Sequence, residues 1–122
     1  DMAWHTLTEP FEGDVEQFEA VSMAPTQVLP VVPGTAMAPA FGHIFSGGYA
    51  AGYYGYKWAE VLEADAFSLF KEKGIFNREA ASSFRENVLA KGGTEHPMEL
   101  YVRFRGHKPE TRALIEKMGL GK

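Results

Sequence analysis

The sequence predicts an all-α fold, in which an extended, proline-rich N-terminal arm at residues 1–40 precedes a helical part at residues 41–122. Several segments carry apolar residues at helical spacing, and glycine or proline interrupts the chain between them. No segment shows a convincing strand pattern. A length of 122 residues corresponds to one domain. Short connections favour helices that pack antiparallel or at corners.

The arm is defined by its prolines. Residues 1–10 are predicted to be irregular, and residues 13–23 to form a short helix with Asp14 near its start. Four prolines between Pro25 and Pro39 exclude a regular helix, because proline lacks an N–H donor and restricts its predecessor. Residues 28–32 are too apolar for a free linker. We therefore expect this part of the arm to lie extended against another surface.

Beyond the arm, four helices are expected, each delimited by glycine, proline or a capping residue. They are residues 49–73, ending at Gly74; residues 78–90, capped by Asn77 and stopped by Gly92 and Gly93; a third helix capped by Thr94 or His96, with Pro97 in its first turn; and a fourth that begins at Pro109 and is closed by Gly119.

Composition excludes several classes of function. The formal net charge is -4 and the basic residues are dispersed, so a nucleic acid or an anionic membrane has no electrostatic support as a partner. The absence of cysteine excludes disulfides and thiolate metal sites and fits a reducing compartment. No apolar run reaches membrane-span length, and the first residues do not resemble a signal peptide. Because the chain begins with Asp1, we expect a mature or excised piece of a longer protein.

The stretch at residues 41–58 carries the most information about chemistry. Tyr49, Tyr53 and Tyr56 are spaced i, i+4 and i+7, which predicts one shared helix face. Gly47 and Gly48 precede them and indicate a close backbone approach or a hinge. A buried aromatic face is one interpretation. A cleft wall is the other, because three phenols carry three hydroxyls that need partners when buried.

The histidines do not form a recognisable metal site. His5, His43, His96 and His107 lack the i, i+4 spacing of a helical zinc pair, and the His-Glu-x-x-His motif is absent. A serine or cysteine nucleophile also lacks support, since no serine lies in a Gly-x-Ser-x-Gly turn. The residues alone thus predict a helical domain with a hydroxyl-rich face.

The run from His43 to Leu62 resembles the hallmark C-terminal segment of the thimet oligopeptidase family of zinc metallopeptidases, closest to its bacterial oligopeptidase and peptidyl-dipeptidase branch. The similarity covers nearly the whole chain, including residues 1–6, 92–95 and 104–106. The resemblance implies the helical C-terminal part of a zincin-like catalytic domain. It also implies that the zinc ligands lie earlier in the full-length enzyme and outside this chain.

The resemblance further assigns roles to individual residues. It implies that Tyr56 donates a hydrogen bond to the developing oxyanion, assisted by His43 as the second catalytic residue. The implied substrate-binding residues are His43, Tyr49, Tyr53 and Tyr56, together with a mobile glycine loop at Gly47 and Gly48.

The predicted function is therefore part of a cytoplasmic zinc metallopeptidase that hydrolyses short peptides. Its partners would be peptide substrates and the remainder of the peptidase. The chain alone is predicted to be inactive and to self-associate. The alternatives are a stand-alone helical module that binds peptides or proteins without catalysis, and a pure scaffold. An upstream His-Glu-x-x-His in the same reading frame would decide for the enzyme.

Overall fold

The structure is a computed structural model that describes residues 1–121. These residues form helices, turns and irregular segments without a strand, which confirms the predicted all-α class. The chain divides into two compact units, Asp1–Gly55 and Tyr56–Lys122. No helix within residues 1–121 has both the length and the apolar character needed to cross a bilayer.

The first unit contains three short α-helices. They are α1 (Met2–His5), α2 (Val15–Met23) and α3 (Gly42–Phe45), with 3-10 turns at Ala24–Thr26 and Ala38–Ala40. The Asp14 carboxylate accepts a hydrogen bond of 2.9 Å from the Gln17 amide, so α2 begins as predicted. Helix α1 was not predicted. It is a single turn, in which the His5 amide donates to the Asp1 carbonyl.

Aromatic side chains hold the first unit together. The rings of Trp4, Phe11 and Phe18 pack with centroids 4.3–5.1 Å apart, and Phe45 of α3 lies 6.0 Å from Trp4. Such offset and edge-to-face pairs add to the stabilisation that apolar burial provides. The cluster therefore ties α1, α2 and α3 to one another.

The second unit carries the longer helices. They are α4 (Gly55–Lys73), α5 (Arg78–Phe84), α6 (Pro97–Arg105) and α7 (Arg112–Lys117). Asn77 caps α5, as predicted, and His96 rather than Thr94 caps α6 by accepting the Met98 amide at 3.2 Å. The predicted helix at residues 78–90 is an α-helix only to Phe84. It continues as a π-helical turn, Arg85–Leu89, and the Ala90 amide donates to the Arg85 carbonyl.

The start of α4 differs from the prediction. A helix was expected from residue 49, but residues 50–54 form turns and α4 begins at Gly55. The amides of Gly52 and Gly55 donate to carbonyls three residues back, and Ala51 has a φ of 53°. A right-handed helix cannot include that φ. The shared helix face predicted for Tyr49, Tyr53 and Tyr56 is therefore wrong.

The core of the second unit combines aromatic packing with a buried polar group. Phe70, Phe84 and Phe104 pack with centroids 5.0–6.2 Å apart. Asp65 is only 4% exposed, and the Tyr101 hydroxyl donates to its carboxylate at 2.5 Å. Burial, together with this hydrogen bond, raises the pKa of the Tyr101 phenol. The phenol therefore stays protonated and keeps the buried carboxylate partnered.

The second unit also has an apolar cavity of about 500 Å³ that is open to solvent. Its lining is almost entirely hydrocarbon and comes from α4, α5, the π-helical turn and α6. Among the lining residues are Trp58, Leu62, Phe67, Phe84, Val88 and Met98.

Candidate functional site

Helix α3 sets the position of His43. Its neighbour Ile44 is 3% exposed and anchors the turn, while the His43 side chain is exposed. The amide and the hydroxyl of Ser46 both donate to the Gly42 carbonyl, at 2.7 Å and 3.0 Å. This pair of bonds closes the C-terminal end of α3, so the histidine is presented from a short but anchored element.

The chain then reverses at the two glycines. A Cβ at Gly47 would lie 3.0 Å from the His43 Cα and 3.1 Å from its carbonyl oxygen, which is tighter than most Cβ contacts and would require the backbone of His43 to shift. Gly48 has a φ of 80°, a conformation that L side chains rarely adopt. The Tyr49 amide can thus donate to the His43 carbonyl at 3.2 Å. The close backbone approach predicted at these glycines is found at Gly47.

The reversal brings three of the predicted site residues together. The His43 ring lies 5.8 Å from the Tyr49 ring and 5.7 Å from the Tyr53 ring, measured between centroids. Phe41, which the sequence reasoning did not single out, packs edge-on against Tyr53 at 4.7 Å. Tyr49 is 40% exposed and Tyr53 36% exposed. An imidazole and two phenols therefore share a partly solvated surface of the first unit.

Tyr56 lies in the second unit, in the first turn of α4, and its side chain is about half exposed. Tyr54 directly precedes α4 and is the most exposed of the four neighbouring tyrosines.

A carboxylate distant in sequence holds the turn that carries Tyr53. Asp1 Oδ1 accepts the Ala51 amide and Asp1 Oδ2 accepts the Tyr53 amide, each at 2.9 Å. The His5 Nδ1 lies 2.9 Å from Asp1 Oδ1, and both side chains are mostly buried. We call this arrangement of Asp1, His5 and the amides of Ala51 and Tyr53 the Asp1 clamp.

A second carboxylate holds the other end of the same segment. Glu19 of α2 accepts the amides of Met37 and Ala38 at 2.7 Å and 2.8 Å, at the start of the 3-10 turn. The segment between these contacts contains His43, both glycines and Tyr49. The local sequence pattern did not predict that the Asp1 and Glu19 carboxylates bind these amides, because the partners lie 18 to 52 residues away.

The described residues do not fit a metal centre. Within residues 1–121 there is no group of three or more His, Cys, Asp or Glu side chains placed to hold a metal ion. The ring neighbours of His43 are Phe41, Tyr49 and Tyr53, which offer hydroxyl and ring contacts rather than a ligand set. The arrangement suits hydrogen bonding to a polar ligand.

Comparison with known proteins shows close relatives. Oligopeptidase A of Escherichia coli (strain K12) is 60% identical over 81 residues, covering 66% of this chain and 12% of that protein. "Probable cytosolic oligopeptidase A" of Arabidopsis thaliana is 48% identical over 126 residues, covering 98% of this chain and 18% of that protein. Dipeptidyl carboxypeptidase of Salmonella typhimurium is 40% identical over 122 residues, with the same two coverages of 98% and 18%. The chain thus spans less than a fifth of the length of these relatives.

The family resemblance seen at residues 43–62 extends along nearly the whole chain. The sequence model of peptidase family M3 matches residues 1–120, which is nearly the entire chain. The relatives named oligopeptidase A and dipeptidyl carboxypeptidase belong to the branch that the sequence indicated. The helical fold and the segment that carries His43 accord with this match. Because the match covers nearly the whole sequence, the chain belongs to peptidase family M3.

Proposed function

We propose that this chain is part of a zinc metallopeptidase that hydrolyses short peptides, as an oligopeptidase or a peptidyl-dipeptidase. The chain supplies groups that bind substrate and stabilise negative charge during hydrolysis. One observation carries the proposal: the rings of Tyr49 and Tyr53 each lie within 6 Å of the His43 ring on a partly exposed surface, in a chain of peptidase family M3.

The proposed zinc ion is bound by residues outside this chain. The described residues hold no ligand cluster, and the chain spans only 12–18% of the relatives it matches. The remainder of the peptidase is therefore the necessary partner, and the chain alone is expected to be inactive.

The proposed contribution of this chain is electrostatic. When a peptide carbonyl is attacked, negative charge grows on its oxygen, and a donor aimed at that oxygen stabilises the transition state more than the ground state. Tyr56 is our candidate for this donor and His43 is the assisting residue. A phenol suits the task because it is a neutral donor on a stiff arm.

Tyr49 and Tyr53 are proposed to hold the substrate, together with the loop at Gly47 and Gly48. The two hydroxyls provide donors and acceptors that match the amide groups of a peptide. Gly48 has left-handed backbone geometry, so substitution there would strain the loop even though nothing lies within 4 Å of where its Cβ would be. We propose that this loop closes over bound peptide.

We place the enzyme in the cytoplasm. The 122 residues contain no cysteine, and one relative is named as a cytosolic enzyme.

The proposal is tested on the longer protein that contains this chain. It should cleave a quenched short peptide, lose turnover with a chelator and regain it with zinc. The isolated chain should show neither turnover nor stoichiometric zinc after dialysis. Turnover by the isolated chain, or an inactive long protein that only binds peptide, would contradict the proposal; the second result would favour the binding module.

A matched pair of histidine variants tests the site itself. His43→Gln should lower kcat/KM by at least about tenfold, because a donor that contacts the substrate is lost. His107→Gln is the control, since His107 lies outside the segment and contacts the Lys108 carbonyl. Equal effects of the two substitutions would remove the reason for assigning His43 to the site.

A further inference from the structure

We propose that Asp1 is a positioning residue for this site, because its carboxylate fixes the turn that places Tyr53 beside His43. The consequence for catalysis rests on the proposed function above. The claim that Asp1 fixes the turn rests only on the contacts of the Asp1 clamp and can be tested separately.

The two oxygens of the Asp1 carboxylate match the two backbone N–H donors of the turn. Each carboxylate oxygen of Asp1 accepts one backbone N–H, from Ala51 and from Tyr53, both at 2.9 Å. In a helix that began at residue 49, the Tyr53 amide would donate to the Tyr49 carbonyl, whereas the Ala51 amide would lie in the first turn without an intrahelical acceptor. Asp1 accepts both amides in the observed turn, in which Ala51 has a φ of 53° that a right-handed helix cannot include.

His5 orients the carboxylate. Its Nδ1 lies 2.9 Å from Asp1 Oδ1 and 3.0 Å from the Asp1 carbonyl oxygen. Both neighbours are acceptors, so Nδ1 must carry the proton. The His5 ring also packs 5.6 Å from Phe45 of α3. His5 therefore bonds to the Asp1 carbonyl and lies beside Oδ1, the same carboxylate oxygen that accepts the Ala51 amide.

The turn needs such support. Ala51 has a φ of 53°, and a residue other than glycine keeps this conformation only where its surroundings impose it. The amide of Tyr53 is the second anchor, and the Tyr53 ring packs against both Phe41 and His43. Loss of the clamp would let the backbone of Tyr53 move relative to His43.

The first test is Asp1→Asn in this chain, read by amide hydrogen exchange of Ala51 and Tyr53. Asparagine is nearly isosteric but offers one acceptor oxygen where two amides need acceptors. Exchange at one or both amides should quicken by about tenfold or more. Asp14→Asn is the control: it removes the same charge in the same unit, and asparagine caps a helix as well as aspartate does. Unchanged exchange in Asp1→Asn would overturn the proposal.

His5→Phe provides a second, milder variant. It keeps a ring against Phe45 and removes only the Nδ1 donor, so the exchange of Ala51 and Tyr53 should change in the same direction and less. A change larger than that of Asp1→Asn would mean that ring packing, not the carboxylate, holds the turn.

The second test measures kinetics in the complete peptidase. Below the unfolding transition, Asp1→Asn should lower kcat by about ten- to a hundredfold, since small misplacements of site groups are costly, while KM changes little. Faster exchange with unchanged kcat would overturn the positioning role. An inactive unsubstituted peptidase would contradict the proposed function instead, and the exchange rates would still decide whether Asp1 fixes the turn.

Discussion

Ala51 is the only residue other than glycine within residues 1–121 that has a positive φ. It lies between Tyr49 and Tyr53, in the turn that the Asp1 carboxylate binds. A left-handed alanine costs about 1–2 kcal/mol relative to ordinary backbone. The strained residue therefore lies in the segment that carries the candidate site. Strained backbone conformations are concentrated at functional sites, where the surrounding structure imposes them.

Ala51→Gly should relieve this strain. We expect the free energy of unfolding to rise by up to about 1 kcal/mol, because the gain exceeds the entropy that glycine adds to the unfolded chain. Urea unfolding followed by Trp4 fluorescence measures the change. Ala20→Gly is the control in the same unit: Ala20 is exposed within α2, so the same substitution should lower stability by about 1 kcal/mol. Equal losses in both variants would show that Ala51 is not strained.

Tyr56→Phe tests the donor assigned to the oxyanion. In the complete enzyme it should lower kcat by about a hundred- to a thousandfold, with a much smaller rise in KM, because only a transition-state interaction is lost. The ring is kept, so packing should hardly change. Steady-state kinetics measure kcat and KM, and a melting curve on the same sample tests whether the packing is kept.

Tyr54→Phe is the matched control, since Tyr54 is the most exposed of the neighbouring tyrosines. It should leave kcat and KM nearly unchanged. If the two variants behave alike, or if Tyr56→Phe lowers only the melting temperature, the tyrosines serve packing and the assignment of Tyr56 is wrong.

At the same scale, the sequence drew attention to the segment that carries His43, Tyr49 and Tyr53, but it predicted the wrong backbone conformation for that segment. His43, Tyr49 and Tyr53 do lie together, yet a turn brings them there rather than a helix face. The spacing of the tyrosines is compatible with a helix, and glycine alone only weakens one. The deciding contact comes from Asp1, about fifty positions earlier, and local patterns carry no information about such a partner.

At the scale of elements, predictions succeeded where the signals are local. The caps of α2 and α5 were correct because a capping side chain acts within three residues of its partner. The proline predicted in the first turn of α6 is found there for the same reason. The π-helical turn after α5 was missed, because the helix ends with this turn and no further helical residues follow to show the shift in apolar pattern that one additional residue causes.

Helices α4 and α6 are joined by a polar contact that can be tested. Tyr101→Phe removes the hydroxyl that donates to the buried Asp65 carboxylate. We expect a loss of about 1–3 kcal/mol, because a buried charged acceptor loses a partner. Arg105 remains near, with its Nε 3.8 Å from Asp65 Oδ2, and limits the loss. Urea denaturation of this chain gives the value.

Tyr54→Phe again serves as the comparison, because the same hydroxyl is removed from an exposed ring. Its effect on stability should stay within about 0.5 kcal/mol. A loss at Tyr101 no larger than this would mean that the contact with Asp65 contributes nothing net.

At the scale of the whole molecule, much apolar surface is exposed. Val28 is 91% and Phe76 96% exposed, and the second unit has its apolar cavity. Isolated domains rarely leave contiguous apolar surface uncovered. The apolar arm at residues 28–32, which was predicted to lie against another surface, is solvent-exposed here.

We therefore expect the isolated chain to self-associate. Sedimentation velocity over a range of concentrations should show species larger than 13.5 kDa. Val28→Asp with Leu29→Asp should weaken the association, because charge in the exposed arm opposes burial of the arm. A clean monomer at high concentration would contradict the expectation.

The two carboxylate contacts also bear on the order of folding. Glu19 closes a loop of 18 residues, whereas Asp1 closes one of 50. Loop-closure entropy makes the longer closure more costly by roughly 1 kcal/mol. Helices such as α4 form within microseconds from local contacts. The turn at Ala51 should therefore be among the last parts of the first unit to form, so Asp1→Asn should accelerate unfolding and leave the refolding rate nearly unchanged.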